Sequence, residues 1–203
     1  MIPPICFITD ADAPRPIVEQ AIAAARGGVG LIQLRHKTLP DAEFAEIARR
    51  LMAVLPEHGA MLAINDRIEV AQAVAAPALH IGQGDGDPAR IRKRIGPDVL
   101  LGLSVEDAGQ LAAVPKGVDY LGVGPVRATA SKPDHAPPIG LDGLARIVGQ
   151  SKLPCIAIGR LVQGDIPDLK ALGAAGIAVV SAISRAEDME AAARGLVQAW
   201  GRA

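Results

Sequence analysis

The chain has 203 residues and a formal net charge of −1; half of its residues are hydrophobic but only 2% are aromatic. That length gives one domain, residues 1–203, a sizeable core and is short for two. The near-zero charge leaves no basic field to hold nucleic acid or an anionic membrane, so anion binding must come from a local cluster. No apolar run is long enough to cross a bilayer, and the first ten residues lack the basic and apolar regions of a secretory signal, so the expectation is a cytoplasmic protein.

Short apolar runs alternate along the chain with longer Ala-rich amphipathic stretches. A first strand is predicted over 5–9. A helix follows over 16–26, with Pro16 suited to its first turn and Gly27 to its end. Strand two spans 31–35, then a helix 41–58, with Asp41 as the expected N-cap and Gly59 as the stop. Strand three spans 61–65 and is followed by a helix 68–75. Strand four, 78–81, leads to a helix 88–95, opened by Asp87 and Pro88 and closed by Gly96. Strand five, 100–104, precedes a helix 106–114. Strand six, 120–123, opens onto the longest irregular stretch, 124–140, which is rich in Pro and polar residues. After a helix 141–150 come strand seven (155–158), a helix 166–172 ending near Gly173, strand eight (177–180) and a last helix 186–200.

Repeated strand–helix units imply parallel strands joined by right-handed crossovers, and about eight of them match an α/β fold of the closed (β/α)8 barrel type. The competing open, doubly wound sheet usually carries a Gly-rich turn after its first strand. Here that turn reads Thr9-Asp10-Ala11-Asp12-Ala13-Pro14, without glycine. Cys6 and Cys155 both sit in apolar strand-like runs, which favours buried, reduced thiols over a disulfide or metal site.

In such a barrel, polar groups at the C-terminal ends of strands converge on one face. Gln33, Arg35 and Lys37 share one side of strand two by alternation, aiming an amide and two cations at one point, an arrangement suited to a diphosphate. Strand three ends in Asn65-Asp66-Arg67 and strand four in His80-Ile81-Gly82-Gln83-Gly84-Asp85. Beside a diphosphate, Asp66 and Asp85 would suit Mg²⁺, which takes one or two carboxylates plus phosphate oxygens and water; both also suit helix caps or turns, and for Asp85 alone, between Gly84 and Gly86, a turn is the better fit. Ser104 closes strand five. The loop after strand six carries Thr129, Ser131 and Lys132, two hydroxyls and an ammonium that can meet phosphate oxygens. Gly159 and Ser181 follow the last two strands, where barrels often bind phosphate. His36, His58 and His135 are too scattered to argue for zinc.

Taken in order, Gln-Leu-Arg-x-Lys, Ile-Asn-Asp-Arg, His-Ile-Gly-Gln-x-Asp, Gly-x-Ser, Gly-x-Gly-Pro with a hydroxyl-rich loop and Lys, Ala-Ile-Gly and Val-Val-Ser-Ala-Ile resemble the thiamine-phosphate synthase family, from Ile8 to Ile183. The resemblance implies a (β/α)8 barrel that joins hydroxymethylpyrimidine diphosphate to thiazole phosphate, with Mg²⁺, releasing pyrophosphate. It places Gln33, Arg35, Lys37 and Asn65 on the pyrimidine diphosphate, and Asp66 and Asp85 on Mg²⁺. Ser104 and Lys132 would contact diphosphate or pyrimidine. Thr129 and Ser131 stand where the family has paired threonines and would contact thiazole phosphate or pyrophosphate, with Gly159, Val180 and Ser181 on the thiazole phosphate. Arg35, Lys37, Ser104 and Lys132 are the expected catalytic set, the partners are these small molecules, and a homodimer is a further expectation. Arg160 replaces the family's second glycine after Ala-Ile-Gly, and Arg127 replaces an apolar aromatic; both are expected on the thiazole-phosphate side. A related thiazole tautomerase, which needs no diphosphate site, and a non-catalytic binder of thiamine precursors are the alternatives. Retention of Arg35, Lys37, Asp66 and Asp85 argues against the first; Arg127 and Arg160 motivate the second.

Overall fold

The computed structural model describes residues 2–132 and 135–202, so part of the irregular stretch 124–140 lies outside the described residues. The strands are β1 (Ile5–Ile8), β2 (Leu31–Leu34), β3 (Met61–Asn65), β4 (Ala78–Ile81), β5 (Leu100–Val105), β6 (Tyr120–Val123), β7 (Cys155–Ile158) and β8 (Gly176–Val179). Each pairs in parallel with the next, and β8 returns to β1, so the sheet is a closed barrel and not an open doubly wound one. Around it run α1 (Ile17–Arg26), α2 (Asp41–Val54), α3 (Ile68–Ala73), α4 (Pro88–Ile95), α5 (Ala108–Leu111), α6 (Gly140–Gln150), α7 (Ile166–Ala171), α8 (Ser181–Ser184) and α9 (Met189–Arg202).

Strand alternation sorts the apolar residues into two cores. Ile5 and Phe7 of β1, Ile32 and Leu34 of β2 and Leu79 and Ile81 of β4 join the helix-facing cluster. The smaller cluster fills the barrel interior with Cys6, Ile8, Leu31, Ala63, Ala78, Tyr120, Ile156 and Ala178. Continuing each inward row by two residues reaches Gln33, Asn65, His80 and Ser104. The period that packs the interior thereby aims these polar side chains at the upper mouth. Both cysteines are buried and free, and burial pushes the Cys6 thiol up to about 12, which leaves it an inert core group.

Several helix boundaries differ from the sequence expectation, each for a local reason. Pro40, not Asp41, holds the N-cap of α2, with no side-chain cap bond. Asp41 is instead the first helical residue, and its carboxylate meets Arg67 at 2.6 Å. Pro56 has no N–H for the α-ladder, so α2 tightens into a 3₁₀ turn over Leu55–His58 that Gly59 ends in left-handed conformation. Asp107 is extended and caps Gln110 N, so α5 starts late and is short. Asp87 caps α4 as expected, accepting from Ala89 and Arg90 N–H groups, which hold its carboxyl below the usual range. Asp188 takes the N–H of Ala191 at 2.9 Å and sets the start of α9 beyond the predicted 186. The extra turn α8, directly after β8, has no counterpart in the sequence expectation.

Candidate active site

The upper mouth of the barrel opens into a cavity of about 460 Å³. Of the site residues expected from the sequence, all but Asp66 and Arg127 line it. On the β2 side, Gln33 is buried, while Arg35 and Lys37 continue its face beyond the strand. The backbone of Arg35 is locked by Thr9, whose Oγ1 accepts from Arg35 N at 2.9 Å and donates to Arg35 O at 3.1 Å. Asp66 follows β3 with φ 54°, in the left-handed region, and its N–H donates to His80 O at 2.9 Å. Its carboxylate forms an ion pair with Lys37.

Beside these cations the cavity floor is a neutral chain of polar groups. His80 Nε2 lies 3.0 Å from Ser104 Oγ, and His80 Nδ1 lies 3.0 Å from the Tyr120 hydroxyl. Two glycines make room for them. A Cβ on Gly102 would sit 2.1 Å from Tyr120 Cζ and 2.5 Å from His80 Nδ1, and one on Gly122 would sit 2.9 Å from His80 Cε1. Desolvation pushes the His80 pKa down to about 4, with the positive charge of Lys132 adding to the shift, so the ring is neutral near pH 7. Burial likewise raises the Tyr120 phenol far above its ordinary value.

The far wall comes from the later strands. Thr129 Oγ1 accepts from Ser131 N at 3.2 Å, and His135 Nε2 accepts from Thr129 N at 3.3 Å, which shapes the hydroxyl loop. Lys132 Nζ lies 3.4 Å from Glu106. Gly159 must be glycine: with φ 116°, its Cβ would come 2.5 Å from Val126 N. Val180 and Ser181 lead into α8, whose far end is tied to the loop after β1 through Ser184 Oγ, a donor to Asp10 at 3.1 Å. Arg160 lines the cavity with φ 51°.

Arg127 departs from its expected place. It is not among the lining residues; its guanidinium turns to Asp165 in a bidentate pair at 2.8 and 2.7 Å and reaches Arg160 O at 3.3 Å. The pair raises the pKa of Arg127 and, with Val162 N–H adding, holds the Asp165 carboxyl below the usual range. Arg127 thus braces the backbone of the β7 loop and leaves the cavity wall to Arg160. Sequence reasoning missed Asp10, Glu106, Gln83 and above all His80 as cavity residues. The signal for His80 was present: it is two residues beyond Ala78 on an inward-facing strand row.

Among the described residues, no group of three or more His, Cys, Asp or Glu side chains could by itself hold a metal. Asp85 lines the cavity, with Oδ2 held by Gly82 N–H at 2.6 Å, and Asp66, outside the lining, is paired with Lys37. One or two carboxylates of this kind would fit only an ion that takes its remaining ligands from phosphate oxygens and water, as Mg²⁺ does.

Fold and cavity together define an α/β-barrel protein whose site, rich in cations and hydroxyls, lies at the C-terminal ends of its strands. The chain matches the family described as "Thiamine monophosphate synthase" over residues 5–183, and it belongs to that family. It is 44% identical over 174 residues to the thiamine-phosphate synthase of Laribacter hongkongensis, covering 86% of this chain and 82% of that one. It is 42% identical to the protein of the same name from Archaeoglobus fulgidus, covering 96% and 91%. Among solved structures, a thiamine phosphate pyrophosphorylase from Pyrococcus furiosus superposes with a TM-score of 0.88 at 33% identity, covering 98% of this chain and 96% of that one. A 3-hexulose-6-phosphate synthase, at TM-score 0.71 and 17% identity, shares the fold alone.

Proposed function

We propose that the chain couples hydroxymethylpyrimidine diphosphate to thiazole phosphate, giving thiamine phosphate and pyrophosphate. The observation that carries this reading is the meeting, in one cavity, of Gln33, Arg35, Lys37 and Asn65 from two adjacent strand ends with Ser104 and Lys132 from the opposite side. In the reaction the bond from the pyrimidine methylene to the diphosphate oxygen breaks, and its electron pair leaves with pyrophosphate. The thiazole nitrogen then gives its lone pair to the cationic methylene carbon. Charge grows on the leaving group, so Arg35 and Lys37 act as preorganised electrostatic partners, which stabilise a transition state without reorganising at the moment of reaction. Asp66 and Asp85 would hold Mg²⁺ there, and the ion would supply further neutralisation of the diphosphate. Lys37, paired with Asp66, would share that carboxylate's neighbourhood with the ion and add its own positive charge toward the diphosphate. The cavity volume suits two small substrates side by side, and positioning replaces a protein nucleophile. Thr129, Ser131, Gly159, Val180 and Ser181 form the wall for the thiazole phosphate, with Arg160 beside them.

The test is a coupling assay with both substrates, with and without Mg²⁺. Thiamine phosphate and pyrophosphate in equal amounts are expected. Conversion of the thiazole alone would assign a tautomerase, and binding with no turnover would assign a non-catalytic protein.

A further inference from the structure

The polar floor of the cavity has a direction that follows from donor counting. Tyr120 is 2% exposed, and among the described residues its hydroxyl has one hydrogen-bond partner, His80 Nδ1. A neutral imidazole offers one N–H and one lone pair. If Nδ1 carried the proton, it would donate to the phenol oxygen and the phenol hydrogen would be left buried without an acceptor, an arrangement that proteins avoid. The phenol therefore donates to Nδ1, the ring proton sits on Nε2, and Nε2 donates to Ser104 Oγ. That leaves the Ser104 hydroxyl hydrogen with no protein acceptor among the described residues, in a side chain that lines the cavity.

We propose that Tyr120 and His80 are positioning residues that fix Ser104 as a hydrogen-bond donor, so the substrate atom docked over it must be an acceptor with a lone pair. The inference rests on the pyrimidine-coupling reading for the identity of that substrate, but the polarity of the relay does not. The geometry makes room for the pair: a Cβ on Gly102 would overlap both Tyr120 and His80, and one on Gly122 would crowd His80. Gln83 Nε2 donates to Ser104 O at 2.6 Å and holds the strand end that carries the hydroxyl. An apolar substitute at Tyr120 would let the ring exchange tautomers and Ser104 turn its hydrogen inward onto Nε2, presenting the wrong polarity to the substrate.

Two measurements test it. Long-range ¹⁵N–¹H correlation spectra of the substrate-free protein should show His80 protonated at Nε2 and bare at Nδ1, with Nδ1–H gaining population in Tyr120→Phe. Kinetics should show Tyr120→Phe raising the KM for the pyrimidine diphosphate about three- to tenfold, the loss of one hydrogen bond, with kcat less affected. In a Ser104→Ala background the same change should add nothing, because Tyr120 acts only through Ser104. A proton on Nδ1 in the wild type, or additive effects of Tyr120→Phe and Ser104→Ala, would overturn the proposal. Failure of the wild type to couple the two substrates would overturn the functional reading instead and leave the tautomer result standing.

Discussion

Lys37→Ala separates a structural ion pair from an electrostatic contribution to the reaction, because the two roles differ by orders of magnitude. The Lys37 side chain is 52% exposed and its Nζ pairs with Asp66. As a surface ion pair it contributes about 0–1 kcal/mol to stability, discounted by solvent screening. Its loss should lower the melting temperature of a chain of this size by no more than about 2–4 °C. As a preorganised cation facing the departing diphosphate, it contributes about 10²–10³ in rate, or roughly 2.7–4 kcal/mol. The prediction is therefore a near-normal melting curve together with a single-turnover coupling rate reduced by about 10²–10³, measured at saturating concentrations of both substrates. Thiazole-phosphate affinity should change much less than the rate, since that substrate is assigned to the opposite wall. A single-turnover rate within a few-fold of wild type would refute the electrostatic role and leave Lys37 as a partner of Asp66 only.

Asp66→Ala should abolish the response of coupling to Mg²⁺; a titration and a rate indistinguishable from wild type would remove Asp66 from the metal site. Asp165→Asn should destabilise the chain by about 1 kcal/mol at neutral pH, because the Arg127 end of the pair is nearly half-exposed although the Asp165 carboxylate is largely covered. The Asp165 carboxyl has a lowered pKa in the folded state, so its contribution is complete above the ordinary carboxylate value of about 4 and is lost as pH falls through the lower folded value. The stability difference between wild type and Asp165→Asn, followed by thermal melts, should stay flat from about pH 8 to 5 and shrink below pH 4; a difference that grows on acidification would contradict the sign.

The barrel was legible because its cause is repetitive. Runs such as Ile5-Cys6-Phe7-Ile8 and Leu31-Ile32-Gln33-Leu34 are apolar on both faces, as strands sandwiched between an interior and a helix layer must be. The strand-end polar residues were legible for the same reason, since the inward period carries straight from Leu31 to Gln33 and from Ala63 to Asn65. What escaped depends on contacts between distant segments. Asp41 looked like a cap, but Arg67, 26 residues later in the chain, takes its carboxylate. Arg127 looked like part of the site by its neighbours in sequence, but Asp165, 38 residues away, draws it off. His80 stood in the motif at the end of strand four with no role assigned; its inward-row position two residues beyond Ala78 was the available signal, and the glycines opposite it on β5 and β6 show that space was cleared for the ring.

Arg160 is the residue on which the second substrate turns. It adopts φ 51°, a conformation that costs a non-glycine residue about 1 kcal/mol or more. The surroundings impose it: Gly159 O accepts from Arg127 N at 3.2 Å, Arg160 O accepts from the Arg127 guanidinium, and Asp165 both pairs with Arg127 and caps Val162 N at 2.8 Å. Arg160→Gly would relieve the strain but add unfolded-state freedom worth about 0.4–1 kcal/mol, so stability should change little. Binding should change more. An arginine on the cavity wall next to Gly159 and Ser181 can give a phosphate oxygen a charge-assisted hydrogen bond, and removing such a bond should raise the KM for thiazole phosphate by about tenfold. The pyrimidine diphosphate, proposed to sit against β2 and β3, should keep its KM. Calorimetric titration of thiazole phosphate against both proteins, alongside coupling rates, decides the matter. Tighter binding by the glycine variant would mean that the guanidinium crowds the phosphate, and would favour a protein whose strained, braced β7 loop excludes the second substrate.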